Sequence, residues 1–102
     1  MSTMQPRIEN RAEQSRFELS IGTEVASFSE YHDADGTRTF FHTVTSPAYR
    51  GRGLAAVLTE FALDDARAKG LTVVPSCWFV HEFIETNRDR YGDLLSGGGS
   101  PS

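Results

Sequence analysis

The sequence predicts an α+β domain built on a mixed, mostly antiparallel sheet. Three observations carry that prediction. Residues 16–45 hold three runs of strand-type composition separated by turn clusters. Residues 54–69 form a long amphipathic helical pattern. A short apolar run at residues 71–75 follows the helix, and a crossover helix forces such a strand to lie parallel to the third.

Each element has its own justification. Residues 1–14 are polar and read as a flexible lead-in, leaving residues 15–95 as the domain. In residues 16–21, Phe17, Leu19 and Ile21 alternate with Glu18 and Ser20, the pattern of a half-buried strand. Gly22 and Thr23 make a short turn. Residues 24–32 resume with Val25, Phe28 and Tyr31, which completes a hairpin. The run Asp33-Ala34-Asp35-Gly36 is a turn cluster. Residues 38–45 are rich in Thr, Phe and Val and form the third strand. Strict alternation puts Phe40, His42 and Val44 on one face, and Thr39, Phe41, Thr43 and Thr45 on the other.

Residues 46–53 are punctuation, with a proline, two glycines and two arginines. In the helix that follows, Leu54, Val57, Leu58, Phe61, Ala62 and Ala66 make one apolar stripe, and Gly70 is placed to end it. Ser76 and Cys77 come after the short strand. Val80, Phe83 and Ile84 predict a second helix through about Asn87. Residues 96–102 are a flexible Gly/Ser tail.

Composition excludes several function classes. With 38% hydrophobic residues, the 102-residue chain can pack one core and is not globally disordered. It holds no apolar run of about 18 residues, so no membrane-spanning helix is expected. The polar N-terminus lacks the apolar stretch of a secretory signal. A single cysteine excludes an internal disulfide and a multi-cysteine zinc site, so no metal is expected. These points make a cytoplasmic location the expectation. The net charge of −4 argues against general nucleic-acid binding. Residues 36–53 stand apart, because they hold Arg38, Arg50 and Arg52 and no acid.

That acid-free stretch contains the segment Arg50-Gly51-Arg52-Gly53-Leu54-Ala55, between a predicted strand and a predicted helix. Glycines let backbone approach a ligand closely. The first amides of a helix have no intrahelical partner and sit at the positive end of its dipole. Arginines add charge-assisted hydrogen bonds. The combination suits phosphate. The plain alternative is a tight turn with solvated arginines. The segment has neither the Gly-Lys-Ser/Thr of a Walker loop nor the three glycines of a dinucleotide fingerprint.

Arg50, Gly53 and Ala55 match the Arg/Gln-x-x-Gly-x-Gly/Ala motif of the GNAT acetyltransferase superfamily. The chain resembles the small single-domain branch of that superfamily over roughly residues 15–95. Further matching features are Phe17, Tyr31, the pair His42-Thr43, the run from Ala62 to Arg67, and Val73-Val74-Pro75-Ser76-Cys77 followed by Phe79-Val80. The resemblance implies an acetyl-coenzyme A-dependent N-acetyltransferase acting on an unidentified amine acceptor. A coenzyme A-binding module or sensor without catalysis is the alternative.

The resemblance also implies a binding mode for acetyl-CoA. The pantetheine arm would pair with the backbone of residues 38–45, Val44 among them. The diphosphate would meet the backbone of Arg50, Gly51, Arg52, Gly53, Leu54 and Ala55. The thioester would then point toward His42, a candidate base, and Cys77, a candidate acyl-accepting nucleophile. Tyr91 is a further candidate, as the acid that protonates the leaving thiolate. Thr45 stands where many relatives carry an acid, and the bulky Trp78 is expected to narrow the site. The pair of N-terminal helices usual in the superfamily is not evident, which implies an open acceptor groove.

Overall fold

The computed structural model describes residues 5–95. A single five-stranded sheet has the order β1-β2-β3-β4-β5. Its strands are β1 (Pro6–Arg11), β2 (Arg16–Ile21), β3 (Glu24–Ala34), β4 (Thr37–Thr45) and β5 (Thr72–Pro75). The first three pairings are antiparallel, and β4 with β5 is parallel. Helix α1 (Leu54–Ala68) makes the crossover between β4 and β5. Helix α2 (Trp78–Thr86) and the single turn α3 (Arg88–Tyr91) follow. The α+β class with a mixed, mostly antiparallel sheet is as the sequence predicts. The Gly/Ser tail at residues 96–102 lies outside the described residues.

The stretch expected to be a flexible lead-in contains β1. Pro6–Arg11 pairs along its whole length with β2. Its sequence, PRIENR, carries one apolar residue among charged and polar ones. Backbone pairing at a sheet edge, rather than side-chain burial, forms this strand, so hydrophobic patterning gives no sign of it.

The interior lies between one face of the sheet and the helices. Phe17, Leu19, Tyr31 and Phe40 from the sheet meet Leu58, Ala62, Leu63 and Ala66 of α1, and Val80 and Ile84 of α2. The expected α1 stripe is rotated by part of a turn. Leu63 and Thr59 are buried, whereas Val57 and Phe61 are 46% and 43% exposed. Both exposed residues line a recess that also includes Ile8 of β1. The helix lies over the inner strands and leaves this edge uncovered.

Two bulges interrupt the sheet. Ala26 is an extra residue on β3, between the pairs Leu19↔Ser27 and Ser20↔Val25. Phe41 is an extra residue on β4, between the pairs Glu30↔His42 and Tyr31↔Phe40. An inserted residue shifts the alternation by one. The expectation that Phe40, His42 and Val44 share a face is therefore corrected. Phe40 faces the helices, followed on that side by Thr43 and Thr45, which meet buried Ser29 and Ser27. His42 and Val44 lie on the opposite face with Phe28, whose ring centroid is 6.3 Å from that of His42.

Charged groups fasten the helices to the sheet. Arg38 on β4 is buried and bonds Asp33 through both Nε (2.8 Å) and Nη2 (2.9 Å), and Asp65 of α1 through Nη1 (2.8 Å). Its guanidinium also lies 4.2 Å from the Tyr31 ring centroid. Burial works against its charge, but the hydrogen bonds to Asp33 and Asp65 outweigh this and hold its pKa above the ordinary value. Burial likewise opposes ionisation of Asp65, yet its bonds to Arg38 and Lys69 hold its carboxyl below the usual range. Arg67 grips Asp93 at 2.7 Å, and the Tyr91 hydroxyl donates to Asp64 at 2.9 Å. The resemblance segment from Ala62 to Arg67 is thus largely a clamp between α1, the sheet and the C-terminal turns.

Removing Arg38 leaves two carboxylates without their shared cation, so Arg38→Ala is expected to lower unfolding free energy by about 3 kcal/mol. Urea denaturation checks this. Because the Asp65 pKa is depressed by folding, its contribution is fully present above about pH 4 and is lost as pH falls through the folded-state value. Thermal melts from pH 6 to pH 3 should show a steeper loss in the natural protein than in Asp65→Asn.

Candidate functional site

The parallel ladder between β4 and β5 ends at Phe40↔Pro75, followed by one bond from the Cys77 amide to the Phe40 carbonyl (2.8 Å). The bulge at Phe41 falls at the same place. From Phe41 to Thr45, β4 keeps β3 on one side and has no strand on the other among the described residues. A wedge therefore opens between the ends of β4 and β5. Val44 lies in this unpaired stretch.

The loop leaving β4 is anchored at its start. The Ser46 amide donates to the Ala26 carbonyl at the β3 bulge (2.8 Å), the Tyr49 amide donates to Ser46 (2.8 Å), and the Tyr49 hydroxyl donates to Glu24. Hydrogen bonding to Glu24, with some desolvation, raises the Tyr49 pKa. Past this anchor the backbone turns through Gly51 (φ +82°) and Gly53 (φ +73°), a left-handed region that favours glycine. Gly53 is the N-cap of α1, and no side chain among the described residues caps the helix. None of the amides of residues 51–56 donates to another group among the described residues. The first internal bond at this end runs from the Val57 amide to the Gly53 carbonyl.

These amides border a cleft of about 300 Å³ whose walls include Thr45, Arg50, Gly51, Gly53, Ala55 and Phe79. A Cβ built on Gly51 or Gly53 would meet nothing within 4 Å. The space beside both glycines is therefore open to a ligand. Arg50 reaches back toward the Thr45 carbonyl (Nε 3.4 Å) and remains exposed. Arg52 lies over the Tyr49 ring, 5.1 Å from its centroid. Bare amides, two arginines and the absence of acids in residues 36–53 suit an anion.

Cys77 sits at the other side of the wedge as the N-cap of α2. It is buried at 8% exposure, and its Sγ is 3.3 Å from the Thr43 hydroxyl. Thr43 in turn lies 3.3 Å from the Ser29 hydroxyl. His42 is exposed on the opposite face of β4, so the two residues expected near the thioester are not brought together. Trp78 is 74% exposed and does not close around Cys77. Tyr91 is buried, and its hydroxyl accepts from Arg90 (3.0 Å) while donating to Asp64. Burial and then the Asp64 carboxylate push its pKa up to about 12.

Thr43 and Phe79 were not singled out as site residues by the sequence. Phe79 falls within the resemblance segment that follows Cys77. Thr43 falls within the resemblance pair His42-Thr43, and its place beside Cys77 follows from the bulge at Phe41.

Comparison with known proteins bears on the family and the fold. A family model described as GCN5-related N-acetyl-transferase matches residues 16–94. Protein NATD1 of Bos taurus is 39% identical over 46 residues, which are 45% of this chain and 41% of that protein. The Homo sapiens protein NATD1 is 37% identical over 46 residues, with 45% and 41% covered. The match thus spans about two-fifths of the length of these relatives. Among solved structures, a GCN5-like protein of Staphylococcus aureus superposes with a TM-score of 0.67 at 21% identity, covering 94% of this chain and 91% of that one. The ribosomal-protein-S18-alanine N-acetyltransferase of Escherichia coli gives 0.61 at 23% identity, covering 76% and 54%. At these identities the structural likeness speaks for the fold. With the family model matched from the second strand to the last turn, the chain belongs to the GCN5-related N-acetyltransferase family.

Proposed function

We propose that the protein binds acetyl-coenzyme A at the start of α1 and transfers its acetyl group to an amine. The observation that carries this reading is the uncapped helix start, with unpartnered amides and two left-handed glycines beside an open cleft. The residues present fit the donor. Backbone amides of residues 51–56 and the Arg50 side chain offer donors to a diphosphate. The unpaired edge of β4 beyond Phe40 offers backbone groups to an amide-bearing arm, as an added strand would use them. The arm would then lead toward Thr43 and Cys77.

Cys77 supports a two-step route. Its sulfur, as thiolate, attacks the thioester carbonyl carbon, and the bond from that carbon to the coenzyme sulfur breaks. The acceptor nitrogen then attacks the acetyl-cysteine, which restores the cysteine sulfur and releases a proton to solvent. Direct attack by the amine on the thioester is the one-step route. His42 is removed from Cys77 by the thickness of the sheet and could serve only an acceptor arriving from the open face. That separation favours coenzyme binding without turnover as the competing reading.

Ligand binding to the folded state raises its melting temperature, so acetyl-CoA is expected to give a saturable thermal shift. Gly53→Ala should weaken acetyl-CoA binding by about tenfold or more, because its Cβ would enter the cleft. Part of the effect on stability is backbone strain of about 1 kcal/mol. Gly70→Ala is the matched control. Gly70 has φ +70° and equally open surroundings, yet lies at the far end of α1, so it should lose similar stability and keep full affinity. Equal affinity in both variants would remove the phosphate assignment. Arg50→Ala should weaken binding less, and more at low salt than at high salt.

Incubation with acetyl-CoA followed by intact-mass measurement should show one acetyl adduct that Cys77→Ala lacks. Turnover on amines without an adduct points to the direct route. Binding without turnover on a broad amine and peptide panel points to the non-catalytic reading.

A further inference from the structure

We infer that the open edge of β1 pairs with β1 of a second copy of this chain, antiparallel about a two-fold axis at Ile8, so that Arg7 of each copy faces Glu9 of the other. The inference is independent of the coenzyme reading. Among the described residues β1 is an outer strand of the sheet, bound to β2 along one edge and to no strand along the other. Such an edge offers a row of backbone donors and acceptors to a further strand. The register with β2 fixes which side chains accompany them. Ile8 and Asn10 stand beside Leu19 and Phe17 on the helix side of the sheet, where Asn10 accepts from the Tyr31 hydroxyl at 2.7 Å. Arg7 and Glu9 stand beside Ser20 and Glu18 on the opposite face.

Charge selects both the partner and the register. Charged residues and a leading proline ordinarily keep an edge strand from pairing at random. Here the charges alternate in sign along one face, as Arg7, Glu9 and Arg11. A two-fold axis normal to the sheet sets residues of the same face opposite each other. Centred on Glu9, it opposes Glu9 to Glu9 and Arg7 to Arg11, which is repulsive. Centred on Arg7, it opposes that arginine to itself. Centred on Asn10, it leaves only Glu9 to Arg11 within both strands. Centred on Ile8, it engages Pro6 to Asn10, sets Arg7 against Glu9 twice, and meets Ile8 with Ile8.

The groups at these positions are available. Arg7 has no ion-pair partner among the described residues. Glu9 lies opposite Glu18 across β1 and β2, and Glu18 takes the close contacts of Arg11 (3.2 Å) and Arg16 (2.8 Å). That leaves Glu9 a 3.6 Å contact with Arg11, both side chains being 46% exposed. On the helix side, Ile8 shares its recess with the exposed Val57 and Phe61. The acids of that recess, Glu60 and Asp64, are already bonded by Arg90 and Tyr91 at 2.9 Å each. Pairing joins the two recesses above one continuous sheet made of two five-stranded halves.

Sedimentation equilibrium of the full chain up to millimolar concentration tests this. A monomer–dimer equilibrium is expected, weakening as salt is raised. Arg7→Glu sets acids against acids at both contacts, and Glu9→Arg sets arginines against arginines. Each should weaken dimerisation by about tenfold or more at low salt. Mixed in equal amounts, the two variants regain both opposite-charge contacts and should form a heterodimer as tight as the natural dimer. Circular dichroism melts check that each variant folds. If a charge reversal unfolds the chain, the milder Arg7→Gln and Glu9→Gln take its place and should each weaken the dimer by about threefold. A chain that stays monomeric at millimolar concentration, a dimer indifferent to these substitutions, or reversed variants that associate no better together than apart would overturn the inference.

Discussion

The proposed chemistry of this protein depends on a helix that begins without a cap. Helix α1 starts at Leu54 with no side chain bonded to its first amides. Natural helices usually satisfy these donors with Ser, Thr, Asp or Asn. Here glycine takes the N-cap position, and a second glycine two residues earlier also adopts positive φ. The result is a row of amides without partners among the described residues at the positive end of the longest helix, with two arginines in the same loop. Such an arrangement sacrifices some helix stability unless an anion supplies the missing acceptors.

The rest of the structure holds that helix start in place. Arg38 ties β3 and β4 to α1 through Asp33 and Asp65, with Tyr31 and Phe17 beneath its guanidinium. Tyr91 and Asp93 fix the other side of α1 through Asp64 and Arg67. At the loop itself, the β3 bulge at Ala26 supplies the carbonyl that receives the Ser46 amide. The bulge at Phe41 falls where β4 and β5 stop pairing. Irregularities in the sheet thus coincide with the wedge, while ion pairs fasten α1 to the sheet beside it.

Much of this was legible in the sequence, for identifiable reasons. Phe17, Leu19 and Ile21 alternate because one face of β2 is buried. Leu54, Leu58, Ala62 and Ala66 recur at helical spacing because α1 packs on the sheet. The glycine–arginine segment stood out because two glycines and two arginines fall together between a strand and a helix, in a stretch without acids. Three features were not legible. The strand β1 is made by backbone pairing and has little apolar content. The α1 stripe extended to Val57 and Phe61 because apolar spacing alone cannot tell a helix face over inner strands from one over an uncovered edge. The side of the sheet carrying His42 depended on one inserted residue, and a bulge reverses every assignment beyond it. Cys77 and Thr43 came together for the same reason that His42 and Cys77 came apart.

The central claim is that amides of residues 51–56 receive the diphosphate of the coenzyme. Amide-resolved NMR during titration with coenzyme A tests it most directly. The account predicts saturable shifts that are largest at Gly51, Gly53, Leu54 and Ala55, with Gly36 and Gly70 little changed. Saturable binding whose shifts centre elsewhere, leaving residues 51–56 unmoved, would contradict it.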